Sequence, residues 1–569
     1  MHCQQRPLDA PDPMTGRSYG WTVNFDDGSS VRWEGLQTGP LTHSAEDVEA
    51  LCQRLLGHGV DAVPAAADRV LQPATGDKAD LPALILHSTT PDLRTFDGDL
   101  DALVSGGRGG DFTTYKEARS VYLAGPDDVA VGRTLAWRAA VDALGVEAID
   151  LDWVDHYYLS HALLHLADEY RDGSGSAMDQ LVARVRRAPH KVRLYAFEVE
   201  MQIFLLWLAR TAGVDALAME ANRPALSVAW NRKDVLHPTV ARATELGPDL
   251  PADPLERLAL EGRHCGLATA MDLQVPRVPG YALERAGQTA DDFVDQLLAA
   301  ADLLRRRHGL TTGCLKASES GDGARITPGI DLGDSDTLRR LGHSAHRHGD
   351  DYVLEAHVTY GRVAGQDLTT ALSAHIRGGR VARGVTLQFM EGTSWKGNVL
   401  VDEHSLDAFG ISAEHYRGVR DFVARFLDAF ERRSPGLVLT GIDFAVGTVG
   451  GHFGETPLLG VQDLNVSFTG AECLRAFLDK VARERPGASP HGVSRIYGVT
   501  RIYRPKPHAD HRAFQAVTRR FTSGEIFADT VASIAGRWGM VGVTGVDPLD
   551  ALENLGRLEA ALAAEDLIP

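Results

Sequence analysis

The stretch that decides the fold is Leu437–Gly470, LVLTGIDFAVGTVGGHFGETPLLGVQDLNVSFTG. Two apolar runs, Leu437–Val446 and Leu458–Val461, flank a glycine-rich turn, which is the pattern of a β-hairpin with a loose connection. Each strand carries acid at one end: Asp443 on the first, Asp463 and then Asn465 on the second. Acids within apolar strands are costly unless cations satisfy them. Asp463 and Asn465 are two residues apart and so share one face of a strand. With Asp443 beside them, three hard oxygen ligands would converge, a set that suits Mg²⁺ together with water and phosphate oxygens. By itself the stretch also fits an ordinary surface hairpin, with Asp and Asn where turns want them.

Working outward, the region before the hairpin supplies further polar groups in a definite order. A lysine, Lys233, lies near a helix start in NRKDV. Leu273–Tyr281, LQVPRVPGY, reads as a strand punctuated by proline, and Asp291–Arg307 as an amphipathic helix. TGCLKASESGDGARI, residues 312–326, reads as a strand ending in Lys316, a Ser/Gly/Asp loop and a second strand. Such a loop can lay backbone N–H groups over phosphates and close as a lid. Asp351–Val358, DYVLEAHV, is an extended run carrying Glu355 and ending at Val358, and Asp367 follows. Strands are expected near Thr369–Ile376 and Arg383–Phe389, and a helix over Ala413–Arg432. His343, His346 and His348, in GHSAHRHGDD, read as a solvated loop.

Before residue 225, strand and helix patterns alternate, which predicts an α/β layer domain. Residues 1–17 read as a loose polar arm, Tyr19–Trp33 as a hairpin, Ala45–Leu56 as a helix and Ala83–His87 as a buried strand. Ser120–Leu123 is a further candidate strand, followed by a helix around Val131–Leu144. No glycine fingerprint for a dinucleotide follows any of these strands. His156, His161 and His165 could in principle bind a metal. A partly buried helix with a polar edge is the better reading.

Composition bounds the rest. At 569 residues the chain is too long for one core. Its 44% apolar and 24% charged residues are ordinary for a globular protein. Lys and Arg number 58 against 77 Asp and Glu, a formal net charge of −19, which argues against a nucleic-acid backbone as partner. Five scattered cysteines without a CxxC pair fit a reducing, cytoplasmic setting better than a disulfide framework or zinc site. The N-terminus has no apolar signal core. The apolar run Met201–Leu208 is too short to span a bilayer, so no membrane partner is expected.

In order and spacing, the series Lys233, Lys316 with its loop, Glu355, Asp367, Asp443 and the pair Asp463/Asn465 resembles the ATP-grasp superfamily, whose members clamp ATP between two antiparallel-sheet subdomains. GID…VQDLN resembles the family's Asp on one strand and acid-x-Asn on the next, which hold Mg²⁺ on the phosphates. GCLKAS followed by ESGDGARI resembles its lysine strand and flexible loop, with Ser320, Gly321 and Gly323 as the phosphate-covering residues. LEAHV, from Glu355 to Val358, resembles the hinge strand that reads adenine with backbone groups. The resemblance covers a little under half of the chain.

It implies an α/β (α+β) architecture: an N-terminal pre-ATP-grasp-like domain over 1–225, an ATP-grasp domain over 226–475 and a C-terminal extension over 476–569. Within the second, the lid subdomain would span about 275–358 and the metal-binding subdomain about 359–475. It implies ATP and Mg²⁺ as cofactors. The reaction would activate a carboxylate as an acylphosphate and join it to an amine, with an amino acid or peptide as substrate, in small-molecule or peptide natural-product biosynthesis. A small-molecule kinase and a nucleotide-binding regulator without chemistry are the alternatives, and a homodimer is the default assembly. The chain departs from the family at two places where relatives carry arginine: here stand Gly441 and Ser467. The missing cation must come from elsewhere, with Lys396 and Arg383 favoured over Arg377 and Arg380.

Overall fold

The computed structural model describes the chain apart from residues 1, 8–18, 25–29, 34–41, 92–95, 97–111, 133–136, 152–155, 248–249, 320–324, 364–365, 367, 393, 452–453, 485–495 and 535–537. It forms two compact units. One comprises Met1–Ala225 together with Gly470–Pro569, the other Leu226–Thr469.

The first unit is built on a six-stranded parallel sheet in the order Leu71–Pro73, Leu217–Glu220, Lys191–Leu194, Ala83–Leu86, Val129–Gly132, Glu147–Asp150. Its strands are short and its central ones buried, as expected where helices cover both faces. The helix Val199–Ala212 is buried from Met201 through Ala209. The sequence's most apolar run is therefore a core helix, and among the described residues no helix is long and apolar enough to cross a membrane. A small antiparallel sheet, His2–Pro7, Tyr19–Asn24 and Ser30–Trp33, precedes the parallel one. The C-terminal stretch adds Tyr497–Tyr503, Trp538–Gly545 and Ala528–Ile534, paired antiparallel.

Three sequence expectations fail in this unit. The arm over residues 1–17 contains a strand, because backbone pairing needs no apolar face. Ser120–Leu123 lies at the end of the helix Phe112–Val121 and beyond it, and forms no strand. Val131–Leu144 divides into the strand Val129–Gly132 and the helix Arg138–Leu144.

The second unit holds two antiparallel sheets. The four-stranded one runs Gly280–Leu283, Tyr352–Ala356, Thr312–Ala317, Ile326–Asp331. Helices Ala290–His308 and Ser335–His348 pack on it through Phe293, Leu297, Leu304, Leu338 and Ala345. The second helix is where a histidine loop was expected. Asp334 caps its start, accepting from the N–H groups of Asp336 and Thr337, and Gly349 ends it in the left-handed region. Gly342, which looks like a breaker, is where the two helices meet: a Cβ there would lie 2.8 Å from Val294 Cγ2.

The other sheet is organised on the long strand Leu439–Gly451. Gly454–Asn465 runs along one edge. Leu368–Arg377 and Val358–Tyr360 share the opposite edge. Val385–Glu391 and Ser394–Val401 continue outward from Leu368–Arg377. The helix Ala413–Arg433 covers one face with Val419, Phe422, Phe426 and Phe430. The proline-punctuated stretch is a strand only from Gly280. Before that, Pro276 O accepts from Val461 N at 2.6 Å, which docks the backbone against the second hairpin strand. Only glycine fits at 460, since a Cβ would sit 2.6 Å from Arg277 C.

Candidate functional site

The hairpin places its polar residues in register. Asp443 pairs with Asp463, and Gly441 with Asn465. Ile442 and Leu464 point to the buried face, so both acids and the amide share the other. Asn465 Nδ2 donates to Asp443 Oδ2 at 3.1 Å, and Gln388 Nε2 donates to Asp443 Oδ1 at 2.9 Å. Burial, with the Asp463 charge beside it, pushes the Asp443 carboxyl up to about 6. Lys233 Nζ lies 3.4 Å from Asp463 Oδ1.

Lys316 is buried and forms an ion pair with Glu355, which is 1% exposed. Burial opposes the lysine's charge, but the Glu355 carboxylate holds its pKa above the ordinary value. Burial likewise opposes ionisation of Glu355, and Lys316 outweighs it, so its pKa is lowered. The two lysines are tied together by backbone. Lys233 N donates to Ser318 O at 3.1 Å, two residues beyond Lys316. Arg232 fastens the same segment through Asp234 at 3.0 Å, Asp351 at 2.7 Å and Glu319 at 2.9 Å.

Several residues here had no reading in the sequence. A β-bulge lies between the Asp443–Asp463 pair and the Phe444–Val461 pair, and Gln462 is the extra residue. Its Nε2 donates to Glu355 Oε1 at 3.1 Å, while its Oε1 accepts from Tyr360 Oη. On the other side of Glu355, His237 Nε2 lies 3.5 Å from Oε2, and Arg277 Nη1 donates to His237 Nδ1 at 3.2 Å. Arg277 is itself buried and paired with Glu261 at 3.0 Å. One signal for the bulge was available: Val461 and Leu464 are both buried at a spacing of three, which an unbroken strand does not allow.

The remaining candidates are distributed as follows. Along the stretch from Ala356 to Val358, Ala356 N donates to Pro279 O at 2.8 Å and His357 N to Thr312 O at 3.3 Å, and Val358 enters the second sheet opposite Val449. A recess beside it is lined by Thr359, Tyr360, Thr370, Ser412 and Thr448. Arg383 pairs with Asp402 at 2.8 Å, and Lys396 with Glu391 at 3.1 Å. Ser320, Gly321, Gly323 and Asp367 lie outside the described residues. Gly441 has a steric reason: a Cβ would meet Thr469 Cγ2 at 2.5 Å and His375 Cδ2 at 3.3 Å.

The histidines of the first unit make a separate cluster. His161 Nδ1 accepts from His43 N at 3.0 Å, and its Nε2 faces Glu200 at 3.8 Å. A ring nitrogen that accepts leaves the proton on the other nitrogen, so neither is free for a metal. His165 faces Glu169 at 3.5 Å. Among the described residues, no group of three or more His, Cys, Asp and Glu side chains is placed to hold a metal.

No family model matches the sequence. No curated protein matches it either. Solved structures do resemble it. An N5-carboxyaminoimidazole ribonucleotide synthetase in complex with ADP is 13% identical, over 88% of this chain and 99% of that one, with a TM-score of 0.43. The same enzyme from Thermotoga maritima is 12% identical over 86% and 99%, with a TM-score of 0.39. A D-cycloserine synthetase is 14% identical over 70% and 99%, with a TM-score of 0.33. At these identities and scores they stand as likenesses alone.

Proposed function

We propose that this chain is an ATP-grasp enzyme, an ATP-dependent ligase that joins a carboxylate to an amine. The observation that carries the reading is the opposed pair Asp443 and Asp463, with Asn465 on the same face and Lys233 on Asp463. The donor set fits a cation. Two carboxylates held across one strand pair repel, which is part of why the Asp443 carboxyl is raised, and a divalent ion would relieve that repulsion. Two carboxylates and one amide oxygen leave coordination positions for water and phosphate, as Mg²⁺ prefers.

Mg²⁺ held by Asp443, Asp463 and Asn465 would supply charge neutralisation to the phosphates of ATP. The chain's own residues do the rest. Lys233 and Lys316 offer two ammonium groups, the first on a backbone anchored at Ser318 O with its Nζ beside Asp463, the second held by Glu355. Gln388 and Asn465 orient the Asp443 carboxylate. The substrate carboxylate would attack the far phosphorus and release ADP. The amine would then attack the carbonyl carbon of the resulting acylphosphate and expel phosphate, and a cation such as Lys396 or Arg383 would steady the oxyanion. An amino acid or peptide is the proposed substrate class, with small-molecule or peptide natural-product biosynthesis as the setting.

The test is to incubate the protein with ATP, Mg²⁺ and pools of carboxylic acids and amines. ADP and free phosphate released only when both substrates are present support the ligase. A phosphorylated product without free phosphate makes the protein a kinase. Binding of ATP with no turnover in any pool makes it a regulator.

A further inference from the structure

Glu355 is joined to three separate elements of the second unit. Its Oε1 takes the Lys316 ammonium and accepts from Gln462 Nε2 at 3.1 Å. Its Oε2 faces His237 Nε2 at 3.5 Å. Lys316 stands on the strand that leads to Ser318 and the 320–324 segment. Gln462 is the bulged residue directly before Asp463. His237 follows the turn that starts at Lys233. Arg277 donates only, so its bond makes His237 Nδ1 the acceptor and leaves the proton on Nε2, toward Glu355. The packing here is close: a Cβ at Gly280 would lie 2.8 Å from both the His237 ring and Glu355 Cβ.

We propose that Glu355 is the positioning residue of this site, a buried carboxylate that sets the reach of Lys316 and the placement of Asp463 together, with His237 as its back support. The inference rests on the proposed function. The Glu355 side chain does not itself meet the nucleotide, because it is 1% exposed and faces protein partners through both oxygens.

A purely structural carboxylate and a positioning one differ in a measurable way. The groups facing Lys316 are Glu355, Tyr360, His237 and, on its own strand, Cys314. Of these, Glu355 supplies the main opposing charge, while burial disfavours the ammonium. In Glu355→Gln, Lys316 keeps its burial and loses its counter-ion, so it should deprotonate at lower pH. Calorimetric titration with ATP in excess Mg²⁺ should then show a Kd about ten-fold weaker than wild type at neutral pH. It should weaken further between about pH 7 and 10, whereas wild-type binding stays flat over that range. Glu355→Gln with Lys316→Arg should remove the alkaline limb, since a guanidinium does not deprotonate there. Glu355→Asp keeps the charge with a shorter reach and should raise KM for ATP without any alkaline limb. If Glu355→Gln does not fold, Glu355→Asp alone decides. Variants that bind ATP as the wild type does, at every pH, overturn the proposal. A wild type that binds no ATP, or a Lys316→Ala variant that binds it undiminished, overturns the proposed function instead.

Discussion

Asp443 and Asp463 face each other across one pair of antiparallel strands, with the amide of Asn465 bonded to the first at 3.1 Å and the ammonium of Lys233 3.4 Å from the second. Two carboxylates so placed repel each other, and positive charge between or beside them, or a proton on one, relieves the repulsion. Asp463→Asn is therefore expected to keep the fold and lower Mg²⁺-dependent ADP formation by about a hundred-fold or more. Circular dichroism and a coupled ADP assay check both halves. Wild-type turnover in this variant would remove the metal role.

Lys316 and Glu355 form a buried pair, and breaking one is worse than removing both. Lys316→Met should destabilise the second unit by about 3–5 kcal/mol, because Glu355 is left buried without its cation. Adding Glu355→Gln should recover a large part of that loss. Urea unfolding of the single and double variants measures the difference, and an additive result would contradict the pairing.

Gly441 stands where relatives of the resembled family carry arginine, and a Cβ there would strike Thr469 Cγ2 at 2.5 Å unless that side chain shifts. Gly441→Ala should cost about 1–3 kcal/mol through overpacking. Thr469→Ser removes the methyl that a new Cβ would strike, so the double variant should regain stability. Thermal melts of the three variants test it.

His43 carries the clearest pH signature. Burial, together with the neighbouring His161, lowers its pKa to about 4 from an ordinary 6.5. A base whose pKa is depressed on folding contributes stability that is present above its unfolded pKa and is lost as pH falls. The first unit should thus lose stability between about pH 6.5 and 4, by about 1–2 kcal/mol once solvent screening is allowed for. His43→Gln should flatten that slope in a pH series of melting temperatures.

His161→Ala should leave ADP formation unchanged, since His161 accepts from His43 N, faces Glu200 at 3.8 Å within the first unit and has no place in the proposed chemistry. A loss of turnover with the fold intact would give this histidine cluster a function.

What the sequence determined by itself was local and patterned. Two apolar runs and the glycine-rich turn between them marked Leu437–Gly470 as a hairpin, and the spacing of two put Asp463 and Asn465 on one face. The helices Ala45–Leu56, Ala290–His308 and Ala413–Arg433 were legible from period 3.6 and their end signals. Local signals failed where the deciding interaction was remote. The helix Ser335–His348 was hidden by Gly342, whose missing side chain is explained only by Val294 on another helix. Gln462 joined the site because a bulge turned it toward Glu355, more than a hundred residues away in the chain. His237 and Arg277 carried no motif, since a buried polar network is defined by which partners surround a carboxylate and not by spacing along the chain. The sequence named Asp443, Asp463, Lys233 and Lys316 as candidates; only the tertiary structure decided that one buried glutamate would hold Lys316 and Gln462 together, because those contacts join strands that no local periodicity connects.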